Sequence, residues 1–76
     1  MNNTVFCTKL KKKAEGLEYP PIQGETGEKI FKHISKEAWG QWISYQTMII
    51  NENRLDLMKT ESREFLIAEM KKFLFD

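Results

Sequence analysis

Two side chains of this sequence could form a thiol or imidazole site, and each type occurs once. Cys7 is the only cysteine and His33 the only histidine among the 76 residues. One cysteine forms no internal disulfide, and a closed structural zinc site needs four ligands, usually Cys and His. The sequence therefore predicts neither a disulfide framework nor a tight zinc site, and it leaves Cys7 as a free thiol.

The chemistry open to Cys7 depends on which face of its strand packs inward, because alternate residues of a strand share a face. If Phe6 and Leu10 point into the core, Cys7 points outward beside Lys9, whose ammonium group favours the reactive thiolate. If Cys7 points inward, it is a small buried apolar residue. A direct chemical role for Cys7 requires a thiol that can be reached from water, as it is in the outward arrangement.

Carboxylates supply the remaining candidate ligands for a divalent ion such as iron, which they bind openly and weakly. Glu15 and Glu18 lie near Cys7 in the sequence, and His33 could add an imidazole. His33 also stands near the end of a predicted helix, where the helix dipole favours a cation. The spacing selects no ligand set from the acidic residues, which also include Glu25, Glu28 and Glu37.

The sequence contains no motif that indicates an enzyme. The segment GETGEK lacks the spacing of a phosphate-binding loop, and no Ser/His/Asp or Cys/His/Asn arrangement can be argued from one His and one Cys far apart in sequence. We expect a protein that is not an enzyme.

The basic residues suggest a second kind of role, in partner binding. The formal net charge is only +1, which makes nucleic acid an improbable partner. Lysines nevertheless cluster before the first acidic residue, at Lys9, Lys11, Lys12 and Lys13. They are either a solvated loop that protects a strand edge or a docking patch for an acidic partner. Trp42 or its neighbour Trp39 either packs in the core or, if exposed, anchors such a partner.

A short ribbon is expected to carry Cys7. Residues Val5 to Leu10 have strand composition, and Leu17, Glu18 and Tyr19 could return as the second strand. Between them the lysines and Glu15-Gly16 would form the connection. Pro20 and Pro21 end the pairing because proline lacks the N–H that a ladder needs.

Three helices follow in the predicted order. The first begins after Gly24, with an apolar stripe at Ile30, Phe31 and Ile34, and ends before Ser35. Ser35 can cap the second helix, which runs from about Lys36 to Asn53. The third is capped by Thr60 or Ser62 and runs to about Leu74.

Residues 1–76 are therefore expected to form one α+β domain, a two-stranded antiparallel ribbon near the N-terminus packed against three helices. The lone thiol indicates a reducing compartment, and the N-terminal residues do not have the pattern of a signal peptide. No apolar run approaches the roughly 18 residues that span a bilayer. We expect a cytoplasmic monomer that does not insert into membranes.

Three segments resemble one known family: FCTKLKKKAEGLEYPPIQGETGEKIF, ISKEAWGQWISYQTMIINENRLDL and EMKKFLF. They are similar to the bacterial Fe(II)-trafficking proteins, also called oxidative damage protection proteins, over nearly the whole chain. Members of that family usually carry a further polar tail beyond the position of Asp76.

The resemblance implies a non-enzymatic protein that binds Fe(II) weakly, limits oxidative damage and supports iron–sulfur cluster assembly or repair. It also implies that Cys7 is the residue most associated with oxidant resistance, as a ligand or an oxidisable thiol. The alternative is a metal-free interaction module, in which the lysine loop and an exposed tryptophan dock an iron–sulfur assembly protein.

Overall fold

The computed structural model describes residues 4–75, which form two strands followed by three helices. Strand β1 is Thr4–Cys7 and β2 is Lys12–Glu15, paired antiparallel with Thr4 opposite Glu15 and Cys7 opposite Lys12. Helices α1, α2 and α3 are Glu25–His33, Lys36–Asn53 and Thr60–Phe75. The predicted α+β class and the order of elements are confirmed.

The position of the second strand was predicted wrongly. Lys12–Glu15, not Leu17–Tyr19, pairs with β1. The chain reverses within four residues: Lys11 adopts a left-handed conformation with φ 57°, and its N–H donates to the Cys7 carbonyl at 2.6 Å. Such a short connection is the usual one for a hairpin. Leu17 lies beyond β2 and is buried in the core.

The starts of α1 and α2 follow the predicted signals, but α3 begins at Thr60, so neither Thr60 nor Ser62 precedes that helix as its cap. Gly24 precedes α1 with φ 92°, a left-handed conformation that favours glycine. Ser35 caps α2, since its Oγ accepts the Ala38 N–H at 3.1 Å. At the other end of α2, Arg54 takes a left-handed conformation and its N–H donates to the Ile50 carbonyl, which ends the helix.

One core holds the elements together. Helices α2 and α3 pack against each other, and the ribbon contacts α1 through β1 and α2 through β2. Trp42 lies near the centre, with its ring 5.9 Å from that of Phe73 and 6.0 Å from that of Tyr45. The core is made of apolar side chains from every element except β2 and from two connecting segments: Cys7, Leu17, Ile30, Ile34, Ala38, Trp42, Ile49, Leu66, Met70 and Leu74.

Candidate functional site

Cys7, Glu15 and His33, three of the residues singled out from the sequence, lie where the ribbon joins the α1–α2 turn. We call this region the junction and define it as residues 7–8, 15–16 and 33–36. Its backbone is tied by the Thr8 N–H, which donates to the His33 carbonyl at 2.8 Å, and by an isolated bridge between Gly16 and Ser35. These contacts bring together segments that are far apart in the sequence.

Cys7 lies at the centre of the junction, and its side chain is completely enclosed, with 0% exposure. The Sγ accepts the Ser35 N–H at 3.3 Å and lies 3.5 Å from the Leu10 nitrogen, which also donates to it. The thiol thus joins the ribbon to the first turn of α2. Ser35, which caps that helix, is itself fully buried.

Of the two arrangements considered for Cys7, the outward one is therefore wrong and the inward one is observed. Phe6, which was expected to point into the core in that arrangement, is 59% exposed, and Cys7 takes the inward position. The alternation within β1 holds, but the strand ends at Cys7 and Leu10 lies in the turn. Because Leu10 is not part of the strand, its position does not determine on which side of β1 the Phe6 side chain lies.

Hydrogen bonding outweighs burial in setting the protonation of Cys7. Burial raises the pKa of the thiol because it penalises the charged form. Donors from the Ser35 side chain and from the N–H groups of Ser35, Leu10 and Lys9 act in the opposite direction. Together they bring the pKa of Cys7 below its ordinary value. The donors thus favour the charged form of the sulfur by more than burial disfavours it.

Three further candidates lie in or beside the junction and are exposed to solvent. His33 is the last residue of α1, and Glu15 is the last residue of β2. The Glu15 carboxylate lies 3.9 Å from the Lys36 Nζ, with both side chains well exposed, so this pair contributes little to stability. Glu18 borders a hollow of about 230 Å³ together with Lys36 and Trp39.

The junction thus contains Cys7, Glu15 and His33, with Glu18 beside it, but these side chains do not form a ready metal cage. Within residues 4–75, no group of three or more His, Cys, Asp or Glu side chains is placed to hold a metal ion. Cys7 faces the core, whereas the His33, Glu15 and Glu18 side chains face water.

The partner-binding candidates are dispersed. Lys11, Lys12 and Lys13 are exposed, and two of them belong to β2 and not to a loop. Lys9 is half-buried, with its Nζ 4.0 Å from the centre of the Phe73 ring. Trp42 is only 2% exposed, so it cannot serve as an exposed anchor; Trp39 is the half-buried tryptophan.

Sequence reasoning missed Ser35 as part of the site. It was recognised as a helix cap, but its N–H also donates to the Cys7 sulfur. The two residues are 28 positions apart, and the local sequence of neither one indicates the contact.

Comparison with known proteins identifies the family. The family model described as bacterial Fe(2+) trafficking matches residues 1–76. The chain belongs to the bacterial Fe(2+) trafficking family. Its membership confirms the resemblance seen in the sequence.

Relatives in this family match the chain almost from end to end. A "Probable Fe(2+)-trafficking protein" of Legionella pneumophila (strain Corby) is 56% identical over 75 residues, covering 99% of this chain and 84% of the relative. Proteins of the same name from Paraburkholderia phymatum and Azoarcus sp. (strain BH72) are 52% and 51% identical. These alignments cover 99% and 100% of this chain, and 82% and 84% of the relatives.

No helix within the described residues is both long enough and apolar enough to span a bilayer.

Proposed function

We propose that this chain carries Fe(II) as a weakly bound, labile cargo, limits oxidative damage by that iron and supports iron–sulfur cluster assembly or repair. The observation that carries the proposal is the match of the bacterial Fe(2+) trafficking family to residues 1–76. The role is carriage, in the cytoplasm, and not catalytic turnover. Weak binding is a requirement of this role because a carrier must release its metal to a recipient.

The first contact of the metal ion is assigned to exposed side chains of the junction, Glu15 and His33, and to Glu18 beside it. Carboxylate oxygens of Glu15 and Glu18 and an imidazole nitrogen of His33 are ligand types that divalent first-row metal ions accept. All three side chains are solvent-exposed, so water molecules can fill the remaining coordination positions. An open set of this kind exchanges its metal easily.

Cys7 takes part only after the junction opens. The Sγ becomes accessible when the ribbon separates from the α1–α2 turn, which breaks the bond from the Ser35 N–H and the bond between Thr8 and His33. Once it loses its proton, the released thiol can bind Fe(II) or attack hydrogen peroxide. In the second case the sulfur gains one oxygen atom, hydroxide leaves, and the thiolate is oxidised by two electrons to sulfenic acid.

An anaerobic titration with Fe(II), followed by NMR, tests the metal-binding part of the proposal. Paramagnetic broadening is expected to concentrate at the amides of Glu15, Gly16, Glu18 and His33. The triple variant Glu15→Gln, Glu18→Gln, His33→Gln is expected to weaken binding about tenfold, which corresponds to about 1.4 kcal/mol.

The matched control removes two carboxylates elsewhere. Glu61→Gln with Glu64→Gln, on the exposed start of α3, is expected to leave the affinity unchanged. Broadening spread evenly over the chain, or the same loss of affinity in both variants, would refute the assignment to the junction.

Peroxide challenge of cells tests the role of the thiol. Cells producing the Cys7→Ser variant at the same protein level are expected to lose the protection given by the natural chain. Equal survival would show that the Cys7 sulfur has no part in protection. It would not affect the assignment of the metal ligands, which the Fe(II) titration tests separately.

A further inference from the structure

Four lysines from three parts of the chain converge where α3 ends. Lys9 follows β1, Lys29 lies on α1, and Lys71 and Lys72 lie in the last turns of α3. We call these four residues the lysine belt. It differs from the lysine loop considered from the sequence, because only Lys9 is common to both.

Two lysines of the belt are held in place by aromatic rings of α3. The Lys9 Nζ lies 4.0 Å from the centre of the Phe73 ring, and the Lys29 Nζ lies 4.5 Å from the centre of the Phe75 ring. Such cation–π contacts are attractive. Because they restrict two flexible side chains before any partner arrives, they reduce the entropy that docking would cost.

The belt encloses two adjacent hollows that share Lys72. One, of about 320 Å³, is bordered by Lys9 and Lys72 over the stacked rings of Tyr45 and Phe73, whose centres are 5.1 Å apart. The other, of about 350 Å³, is bordered by Lys29, Lys71 and Lys72. Each hollow therefore receives ammonium groups from two different elements.

The positive charge of this region is local. Within residues 4–75, the carboxylates that border the hollows are Glu25 and Glu69, and the latter pairs with Lys72 at 3.6 Å. At the opposite end of the helices, residues 51–64 contain four acidic and three basic side chains. A chain with a net charge of +1 thus presents an excess of positive charge on one surface.

We propose that the lysine belt is a docking surface for an acidic segment of a partner protein, with one carboxylate side chain entering each hollow. Complementary charge speeds encounter and fixes the register of such a contact. The proposal is independent of iron binding. It replaces the docking site predicted from the sequence, which consisted of the lysine loop and an exposed tryptophan.

The arrangement fits a polypeptide better than a nucleic acid. Proteins that bind single strands stack bases on exposed aromatic rings, but here the lysines Lys9 and Lys29 lie over Phe73 and Phe75. A glutamate beside each hollow also interrupts a continuous track for phosphates. Separate carboxylates spaced along a peptide avoid both obstacles.

Titration with a short oligo-glutamate peptide, in the absence of iron, tests the proposal by NMR. Shifts are expected at Lys9, Lys29 and residues 71–75, and the affinity should fall as salt is added. Lys71→Gln with Lys72→Gln is expected to weaken binding about tenfold. Both side chains are exposed, so the fold should be unchanged, as the spectrum of the free variant verifies.

The matched control is Lys12→Gln with Lys13→Gln, an adjacent pair of exposed lysines on β2 with the same change of charge. It should weaken binding less than about threefold, through the general field alone. Absence of peptide binding, or an equal loss in the two variants, would overturn the proposal. Tighter binding of oligothymidylate than of the peptide, through the same lysines, would overturn the assignment to a protein partner.

Discussion

The junction and the far end of the α2–α3 pair differ in how completely their side chains are buried. At the junction, Cys7, Ile34 and Ser35 are all 0% exposed. In the connection between the two long helices, Leu57 is 45% exposed and Met58 is 87% exposed. That connection is closed by local contacts, such as the Met58 N–H donating to the Asp56 carboxylate at 3.0 Å.

This difference shows that the Cys7 thiol lies in a tightly packed part of the chain. Among the described residues, every buried side-chain nitrogen or oxygen has a hydrogen-bond partner, and the buried Cys7 sulfur accepts bonds as well. Access to Cys7 therefore requires breaking native contacts, whereas the connection between α2 and α3 can change conformation at a small cost in free energy. Regions that open at low free energy are usually those with few buried contacts.

The largest predicted contrast comes from truncating one apolar side chain in each region. Ile34→Ala should destabilise the fold by about 2–5 kcal/mol, because it leaves a cavity in the core. Met58→Ala should change stability by less than about 0.5 kcal/mol, as exposed substitutions usually do. Urea unfolding followed by circular dichroism measures both, and similar losses would contradict the contrast.

Replacement of the thiol sharpens the comparison within the junction. Cys7→Ala leaves the buried Ser35 N–H without its acceptor, which should cost about 1–3 kcal/mol. Cys7→Ser keeps an acceptor oxygen and should cost less. Unfolding of the two variants in urea gives the comparison, and an alanine variant as stable as the serine variant would show that the sulfur contributes nothing as an acceptor.

Removal of the α2 cap should have a smaller effect. Ser35→Ala removes the acceptor of the Ala38 N–H and should cost about 1 kcal/mol. Ser44→Ala, at an exposed position within the same helix, is the control and should be neutral or slightly stabilising, since alanine favours helix. Thermal unfolding of both variants checks this, and equal melting temperatures would contradict it.

The smallest predicted effect is a dependence of stability on pH. The pKa of Cys7 is lower in the folded chain than its ordinary value, so between these two values the unfolded state binds more protons and stability rises with pH. This contribution is complete above the ordinary thiol pKa of about 8.5. It is lost as pH falls through the folded pKa.

The free energy of unfolding of the natural chain, minus that of the Cys7→Ser variant, should therefore grow from neutral to alkaline pH. The serine variant is the reference because its hydroxyl does not titrate in this range. Urea titrations at several pH values measure the difference, and a difference that shrinks with rising pH would contradict the lowered pKa.

The helices could be predicted from the sequence because their signals are local. The apolar spacing of α2 and the cap at Ser35 depend on residues within a few positions of each other. The predicted range Lys36 to Asn53 is the observed one.

The face of β1 and the partner strand could not be predicted in this way. Val5 and Cys7 on one face are about as apolar as Phe6 on the other, so alternation alone does not select the buried face. The contact of Ser35 with Cys7 decides it, across 28 positions of sequence. The gathering of Glu15 and His33 at the junction depends on the same long-range contacts.

The most direct test of this description is the rate at which an alkylating reagent modifies Cys7 in the native chain at neutral pH, compared with the urea-unfolded chain. We predict a native rate lower by about two orders of magnitude or more, as expected for a sulfur reached only by opening. Under the same conditions, Ser35→Ala should react faster than the natural chain. A native rate equal to that of the unfolded chain would contradict an enclosed Cys7 thiol.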